Sequence, residues 1–172
     1  VRDQMYTYLL NTYEENDLTY DTYGKGKLES RLAYHGDYKA YFDFIADSLK
    51  RYSSQRDKQK GEAFVHGFTL AMTSQNRFYR PISELDNDGG YADIFLCPLC
   101  DIYKDMVDSY IIELKYCKSS TTDEQVKQLF KDASAQICRY ADSDIVRESV
   151  KTTTLHKLVV IYRGAEMVAC DE

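Results

Sequence analysis

The fold is decided by the stretch SYIIELKY at residues 109–116. Successive side chains of a β-strand point to opposite faces of the sheet, so alternate residues share a face. Ile112 and Leu114 therefore lie on one face, and Glu113 and Lys115 lie on the other. The stretch predicts a strand that carries a carboxylate and an amine side by side.

A second predicted strand, residues 91–96, comes before this one and follows the turn signal DNDGG at residues 86–90. On it, Asp93 alternates with the apolar Ala92 and Ile94. In an antiparallel pair, Asp93 is expected to lie across from Glu113 on the same face. With a further strand predicted over residues 78–85, the three strands form an antiparallel meander.

Asp93 and Glu113 predict a metal site. Two carboxylates held close together repel each other unless a cation binds between them. A Mg²⁺ site typically needs one or two carboxylates, together with waters and substrate phosphates. Such an ion polarises a phosphate and acidifies water, while Lys115 supports the attacking water or the developing charge. The three residues therefore favour phosphodiester hydrolysis.

An acidic residue two positions before a lysine is weak evidence alone, because a Glu-x-Lys triplet occurs about once by chance in a chain this long. Asp37-Tyr38-Lys39 has the same pattern at the start of a predicted helix, with no partner carboxylate on a strand. We interpret that triplet as solvated surface. The apolar strand around Glu113 and the turn before Asp93 distinguish the first triplet from the second.

The remaining elements follow from hydrophobic periodicity. A loop is predicted at YGKG, residues 23–26, and a break in the polar stretch 53–60. Thr121 and Glu124 predict a capping box at the start of a helix whose core face is Val126, Leu129, Phe130, Ala133 and Ile137. The helix over residues 61–74 has a predicted apolar stripe of Phe64, Phe68, Ala71 and Met72, with Glu62, His66, Thr69 and Thr73 on another face. Further helices are predicted over residues 2–15 and 37–52, and a strand over residues 155–162.

Composition predicts one α/β domain with a helical appendage, since 172 residues are few for two domains. The net charge of −6 is concentrated in residues 81–114, which carry eight acidic side chains and one basic side chain. The rest of the chain is nearly neutral, which permits a nucleic-acid partner without forming a basic footprint. We expect no membrane span, and five scattered cysteines favour reduced thiols in the cytoplasm.

Several other residues could be either metal ligands or ordinary structural residues. Glu62 and His66, four apart on one helix, predict either a metal pair or a polar helix face. Cys97 and Cys100 have the spacing of half a zinc site but lack a second pair of ligands. The two remaining histidines have no predicted constellation and are interpreted as surface or strand packing; they are His35 and His156.

Several segments together resemble the PD-(D/E)XK nuclease superfamily. They are Glu62 on a helix, GYADI at residues 90–94, IELK at residues 112–115, and Ala133, Gln136 and Tyr140 on the following helix. More narrowly, they look like the nuclease-like domain found C-terminal to an AAA-ATPase-like domain in many bacterial proteins. The chain contains no glycine-rich phosphate loop of its own.

The resemblance implies an α/β, restriction-endonuclease-like fold. Its core has the order α-β-β-β-α-β, with a central mixed sheet flanked by helices. Residues 58–172 would form the nuclease-like domain, and residues 1–57 an N-terminal helical extension packed on the core. The resemblance also implies two partners for this chain: nucleic acid, DNA more than RNA, and an AAA-ATPase-like domain.

The resemblance also implies a role for each matching residue. Asp93 and Glu113 would ligate Mg²⁺ or Mn²⁺, with the backbone carbonyl of Leu114 as a further ligand. Lys115 would be the catalytic lysine. Glu62 would reach the metal or its water, and Gln136 would orient Lys115 or a phosphate. One departure is Tyr91, where many relatives have an arginine that contacts phosphate.

Three hypotheses remain at this point. The first is a metal-dependent endonuclease domain. The second is a catalytically inactive regulatory or interaction module of an ATPase with the same fold. The third is a phosphohydrolase that acts on a small nucleotide. The complete set of Asp93, Glu113 and Lys115 favours the first, and the acidic balance favours the second.

Overall fold

A computed structural model of the chain describes residues 22–52, 61–87 and 90–172. The helix predicted over residues 2–15 and the polar break at residues 53–60 lie outside these ranges. The described elements, in chain order, are α1 (Thr22–His35), α2 (Tyr38–Tyr52), α3 (Glu62–Ser74), β1 (Tyr79–Asn87), β2 (Gly90–Pro98), β3 (Asp108–Cys117), α4 (Asp123–Ala141), α5 (Asp144–Val150), β4 (Thr154–Arg163) and β5 (Glu166–Asp171).

The five strands form one mixed sheet in the order β1-β2-β3-β4-β5. The predicted meander of β1, β2 and β3 is confirmed, because both of its pairings are antiparallel. β4 then runs parallel to β3 along its whole length, from Asp108–Thr154 to Cys117–Arg163. A parallel neighbour requires a long crossover, which α4 and α5 provide. The predicted α/β class and mixed sheet are thus confirmed.

Helices cover both faces of the sheet. On one face, α1, α2 and α3 bury Leu32, Tyr41, Phe42, Ile45 and Val65 against the sheet residues Ile94, Leu96, Tyr110, Ile112, Leu114, Leu158 and Val160. On the other face, α4 and α5 bury Ala133, Ile137, Tyr140 and Val146 against Phe95, Ile111, Val159 and Ile161. The alternating strands therefore contribute to two separate cores, and β3 and β4 are buried between them.

The loop predicted at residues 23–26 is wrong, because α1 runs through both of its glycines. Glycine disfavours helix by about 1 kcal/mol per residue, but packing routinely overrides propensity. Here Leu32 and Ala33 are fully buried, and a buried ion pair joins Lys25 to Glu29 one turn later at 3.3 Å. These contacts, which the local sequence does not reveal, stabilise the helix.

The α3 helix has the predicted length but a different buried face. Thr69 and Thr73, predicted on the polar face, are buried, and Ala71 of the predicted stripe is exposed. The hydroxyl of Thr73 donates to the carbonyl of Thr69 at 2.9 Å, which satisfies its donor within the helix. A threonine whose hydroxyl is satisfied in this way can enter the core.

The start of α4 differs from the prediction, and two elements after α4 were not predicted. Its capping box is formed by Thr122 and Gln125, one residue later than predicted, with reciprocal side-chain bonds to the two backbone N–H groups. The short helix α5 was not predicted, nor was β5, which follows a tight turn at Gly164 with φ of 64°. Within the described ranges, none of the helices has the length and apolar character to cross a membrane.

Candidate active site

Glu113 and Lys115 lie near the C-terminal end of β3. Their neighbours Ile112 and Leu114 are buried in the core beneath α1, α2 and α3. Strand alternation directs Glu113 and Lys115 to the opposite face, which α4 covers. The sequence pattern of β3 therefore puts these two side chains on one face, at the end of a strand buried in the middle of the sheet.

Asp93 lies where the ladder between β2 and β3 ends. The paired residues are 94–96 of β2 and 110–112 of β3. Extending this register by one step sets Asp93 across from Glu113. Beyond the ladder, the backbone N–H of Leu114 donates to Oδ2 of Asp93 at 2.8 Å. The carboxylate of Asp93 thus accepts a bond that, in a regular ladder, a backbone carbonyl of β2 would accept. This bond anchors the side chain of Asp93 beside β3.

Glu113 is a carboxylate inside the protein. Its side chain has 1% exposure, and its Oε1 oxygen is reached by the ammonium of Lys115. Burial is the main reason that the pKa of Glu113 is raised to about 7, and the nearby carboxylates of Asp93 and Glu62 raise it further. Lys115 opposes this shift without cancelling it.

Lys115 provides a positive charge next to Glu113. Its Nζ lies 2.5 Å from Oε1 of Glu113, and its side chain retains 23% exposure. Burial disfavours the ammonium form, but the surrounding carboxylates outweigh burial and raise the pKa of Lys115. These carboxylates are Glu113 first, then Asp93 and Glu62. The lysine is therefore held as a cation that can still reach solvent.

A cavity of about 390 Å³ opens beside Asp93. It is lined by Glu62, Ala63, His66, Asp93 and Leu114. Glu62 is an exposed residue in the first turn of α3. The cavity thus brings Glu62 and Asp93 together, whereas Glu113 and Lys115 are not among its lining residues.

Gln136 is placed differently. Its amide donates to the hydroxyl of Tyr140, one turn further along α4, at 2.8 Å. None of the described hydrogen bonds joins Gln136 to Lys115, so its role in orienting Lys115 or a phosphate stays a prediction. The side chain of Tyr91 lies outside the described residues.

The donors around Asp93 suit a hard divalent cation, which prefers oxygen ligands. Burial of the Glu113 carboxylate is costly even beside the ammonium of Lys115, and the nearby carboxylates of Asp93 and Glu62 oppose its charge further. The N–H and C=O groups of an extended residue point toward the same neighbouring strand, so the carbonyl of Leu114 points toward the side of Asp93. Over the described ranges, no group of three or more His, Cys, Asp or Glu side chains is already arranged around a common metal position.

Sequence reasoning missed one cluster at the opposite end of β3. The imidazole of His156 bonds to Asp108 through Nε2 at 2.9 Å and to Glu172 through Nδ1 at 2.6 Å. Its ring stacks on that of Tyr110, with centroids 5.0 Å apart. The parallel register pairs Tyr110 with His156, and this pairing depends on the crossover rather than on any local pattern.

Cys97 and Cys100, which have the spacing of half a zinc site, are both described by the structure. Cys97 is buried, Cys100 is half-buried, and both are free thiols. In the part of the chain that the structure describes, neither belongs to a metal-binding group. His35 is exposed on the last turn of α1.

Comparison with known proteins gives one match. The sequence model described as the PD-(D/E)XK nuclease superfamily matches residues 60–172, which is more than half of the chain. No curated protein and no solved structure matches significantly. The matched range begins just before α3 and contains the whole sheet.

Proposed function

The chain belongs to the PD-(D/E)XK nuclease superfamily, and from this premise we propose that it is a Mg²⁺- or Mn²⁺-dependent endonuclease that hydrolyses phosphodiester bonds of DNA or RNA. One observation carries the proposal. Glu113 is fully buried and lies beside Lys115, at the end of the strand that also anchors Asp93. A folding core has no need of this arrangement, because even a paired buried carboxylate has a desolvation cost that its ion pair can fail to repay.

In the proposed site, Asp93 and Glu113 hold the metal, with the carbonyl of Leu114 and the carboxylate of Glu62 as further oxygen donors. When bound, the ion supplies polarisation of the phosphate and acidification of a water. A divalent cation then offsets two of the negative charges in the acidic segment that contains both carboxylates.

The protein's own groups contribute orientation and charge. The bond from the Leu114 N–H to Oδ2 of Asp93 fixes one carboxylate oxygen and leaves Oδ1 for the metal. Lys115 carries a positive charge at the same strand end, where it stabilises negative charge that develops on the phosphate. Gln136 is proposed to orient Lys115 or a phosphate once substrate is present.

The proposal is tested by cleavage of supercoiled plasmid and single-stranded DNA in Mg²⁺ or Mn²⁺. Asp93→Ala and Lys115→Ala should each lower the cleavage rate by at least about 100-fold, because the first removes a metal ligand and the second removes a preorganised positive charge at the reacting phosphate. Lys39→Ala is the matched control, since Lys39 is exposed and ends the similar triplet Asp37-Tyr38-Lys39, whose other two residues are half-buried. It should cleave at the wild-type rate. Activity that survives in both active-site variants would refute the proposed site.

A second candidate is a catalytically inactive regulatory module of an ATPase. The observation that favours it is the ion pair itself, because Glu113 already has a cation in Lys115 at 2.5 Å. Calorimetric titration with Mn²⁺ separates the two candidates. The nuclease binds the ion and loses binding in Asp93→Ala, whereas the inactive module binds none.

The link to an AAA-ATPase-like domain and a cytoplasmic location are proposed with the same function. The first is tested by sequencing the gene around the segment that encodes this chain, where an ATPase region should precede it. The second is tested by fractionation of the source cells.

A further inference from the structure

We infer that His66 is a positioning residue that holds the backbone of Asp93 in place by donating a hydrogen bond to its carbonyl, an inference that rests on the proposed function. On one edge, β2 is paired with β1 at Ala92 and Ile94, whereas on the other edge its pairing with β3 ends before Asp93. The β2–β3 ladder stops at the pair of Ile94 and Ile112. The next described bond between the strands, from the Leu114 N–H, reaches the carboxylate of Asp93 rather than a carbonyl. The β3 ladder therefore does not fix the backbone at Asp93.

The imidazole of His66 reaches this backbone from α3. Its Nε2 lies 3.1 Å from the carbonyl oxygen of Asp93. A carbonyl can only accept, so Nε2 carries the hydrogen and donates it. The hydroxyl oxygen of Ser83, on β1, lies 3.5 Å from the same nitrogen. His66 thus joins α3 to the sheet at the residue proposed as a metal ligand.

The same contact sets the distance between the two carboxylates of the cavity. Glu62 and His66 are four residues apart on α3, so their side chains lie on the same face of the helix. Both line the cavity with Asp93. A bond from His66 to Asp93 therefore fixes the turn of α3 that carries Glu62 against the strand that carries Asp93. Loss of a group that orients a metal ligand typically lowers metal affinity or activity about 10–100-fold.

Hydrogen exchange at the Leu114 amide measures this role without metal or substrate. The amide is protected by the carboxylate of Asp93, so its exchange reports whether Asp93 is held in place. We expect loss of this protection in His66→Ala and near wild-type protection in His66→Gln, whose amide can still donate. Ser74→Ala is the control for a change on the surface of α3, since Ser74 is exposed and its described hydrogen bond, to the carbonyl of Ala71, lies within its own turn. Should His66→Ala fold poorly, His66→Leu keeps the bulk without the donor and gives the same comparison.

Two further measurements connect the role to the site. Mn²⁺ affinity should fall about 10–100-fold in His66→Ala and recover in His66→Gln. The kcat for DNA cleavage should fall by a similar factor, with KM changed by less than about 2-fold, because His66 does not contact the substrate.

Unchanged exchange at Leu114 in His66→Ala would overturn the inference, and so would equal impairment of His66→Gln and His66→Ala. A wild-type protein that neither binds Mn²⁺ nor cleaves DNA would instead refute the proposed function. In that case the exchange at Leu114 still decides whether His66 holds Asp93.

Discussion

Glu113 is the residue at which stability and the proposed function conflict most directly. Its carboxylate is fully buried, and burial raises its pKa to about 7 from an ordinary value near 4.5. A raised carboxyl pKa means that the folded protein favours the neutral form. The associated stability is present at acid pH and is lost as the pH rises through about 7. At pH 8 the folded protein therefore contains a charge that burial disfavours.

We predict that Glu113→Gln abolishes metal-dependent cleavage and increases the free energy of unfolding at pH 8 by about 1–3 kcal/mol, the scale of a pKa shift of this size. The substitution keeps the shape and removes the buried charge. Breaking a buried ion pair is usually destabilising, but Lys115 retains 23% exposure and can turn its ammonium toward water. Urea denaturation of both proteins at pH 8 measures the difference. A less stable Glu113→Gln would mean that the ion pair outweighs the cost of burial.

At this scale the sequence predicts side-chain direction well and contacts poorly. The alternation along β3 requires only the strand period, so the common face of Glu113 and Lys115 follows from the sequence. The bond between His66 and Asp93 requires α3 to dock beside β2, and no local pattern encodes that docking. The same reason explains why Thr69, which the periodicity predicts on the polar face of α3, is buried.

At the scale of elements, His156 connects three strands by hydrogen bonds at one end of the sheet. It lies on β4 and bonds to Asp108 at the start of β3 and to Glu172 just beyond β5. The charged and titratable groups around it include Tyr110 of β3 and Tyr38 of α2, whose hydroxyl bonds to Asp171. Burial opposes protonation of His156, but the two carboxylates outweigh it and raise its pKa.

We predict that the bonds of His156 to Asp108 and Glu172 stabilise the protein more in acid than in base. A histidine whose folded pKa is raised contributes its full stability below the unfolded value of about 6.5 and loses it as the pH rises through the folded value. The difference in unfolding free energy between wild type and His156→Gln should therefore be larger at pH 5.5 than at pH 8.5. The exposed Ser74 provides the control, since Ser74→Ala removes no titratable group and its effect should be equal at both pH values. A difference that is equal at both pH values would contradict the prediction.

Elements with strong periodicity are predictable, whereas those stabilised by tertiary contacts are not. The strands β1 to β4 and the helices α2, α3 and α4 follow from hydrophobic patterns. α1 contains two glycines, and only its packed side chains and the Lys25–Glu29 pair explain its formation. β5 has six residues and becomes a strand because it pairs with β4 across the turn at Gly164.

For the whole molecule, the matched family range and the folded core do not coincide. The family match begins at residue 60, whereas α1 and α2 end before it. Yet these helices fill the core on one face of the sheet. Their fully or almost fully buried side chains include Leu32, Tyr41, Phe42, Ile45 and Leu49. The division into an extension of residues 1–57 and a domain of residues 58–172 stays a prediction, and it follows the resemblance to the family rather than the packing of the core.

We predict that a variant lacking residues 1–57 does not fold cooperatively. Each large apolar side chain contributes roughly 1.5–3 kcal/mol when fully buried. The five from α1 and α2 therefore contribute on the order of 10 kcal/mol, comparable with the total stability of 5–15 kcal/mol typical of a domain. Their loss would also expose Ile94, Leu96 and Ile112 to solvent. Thermal unfolding followed by circular dichroism should show no sigmoidal transition for residues 58–172, and should show one for the full chain. A cooperative transition in the shorter chain would show that the family range folds by itself and that α1 and α2 only cover it.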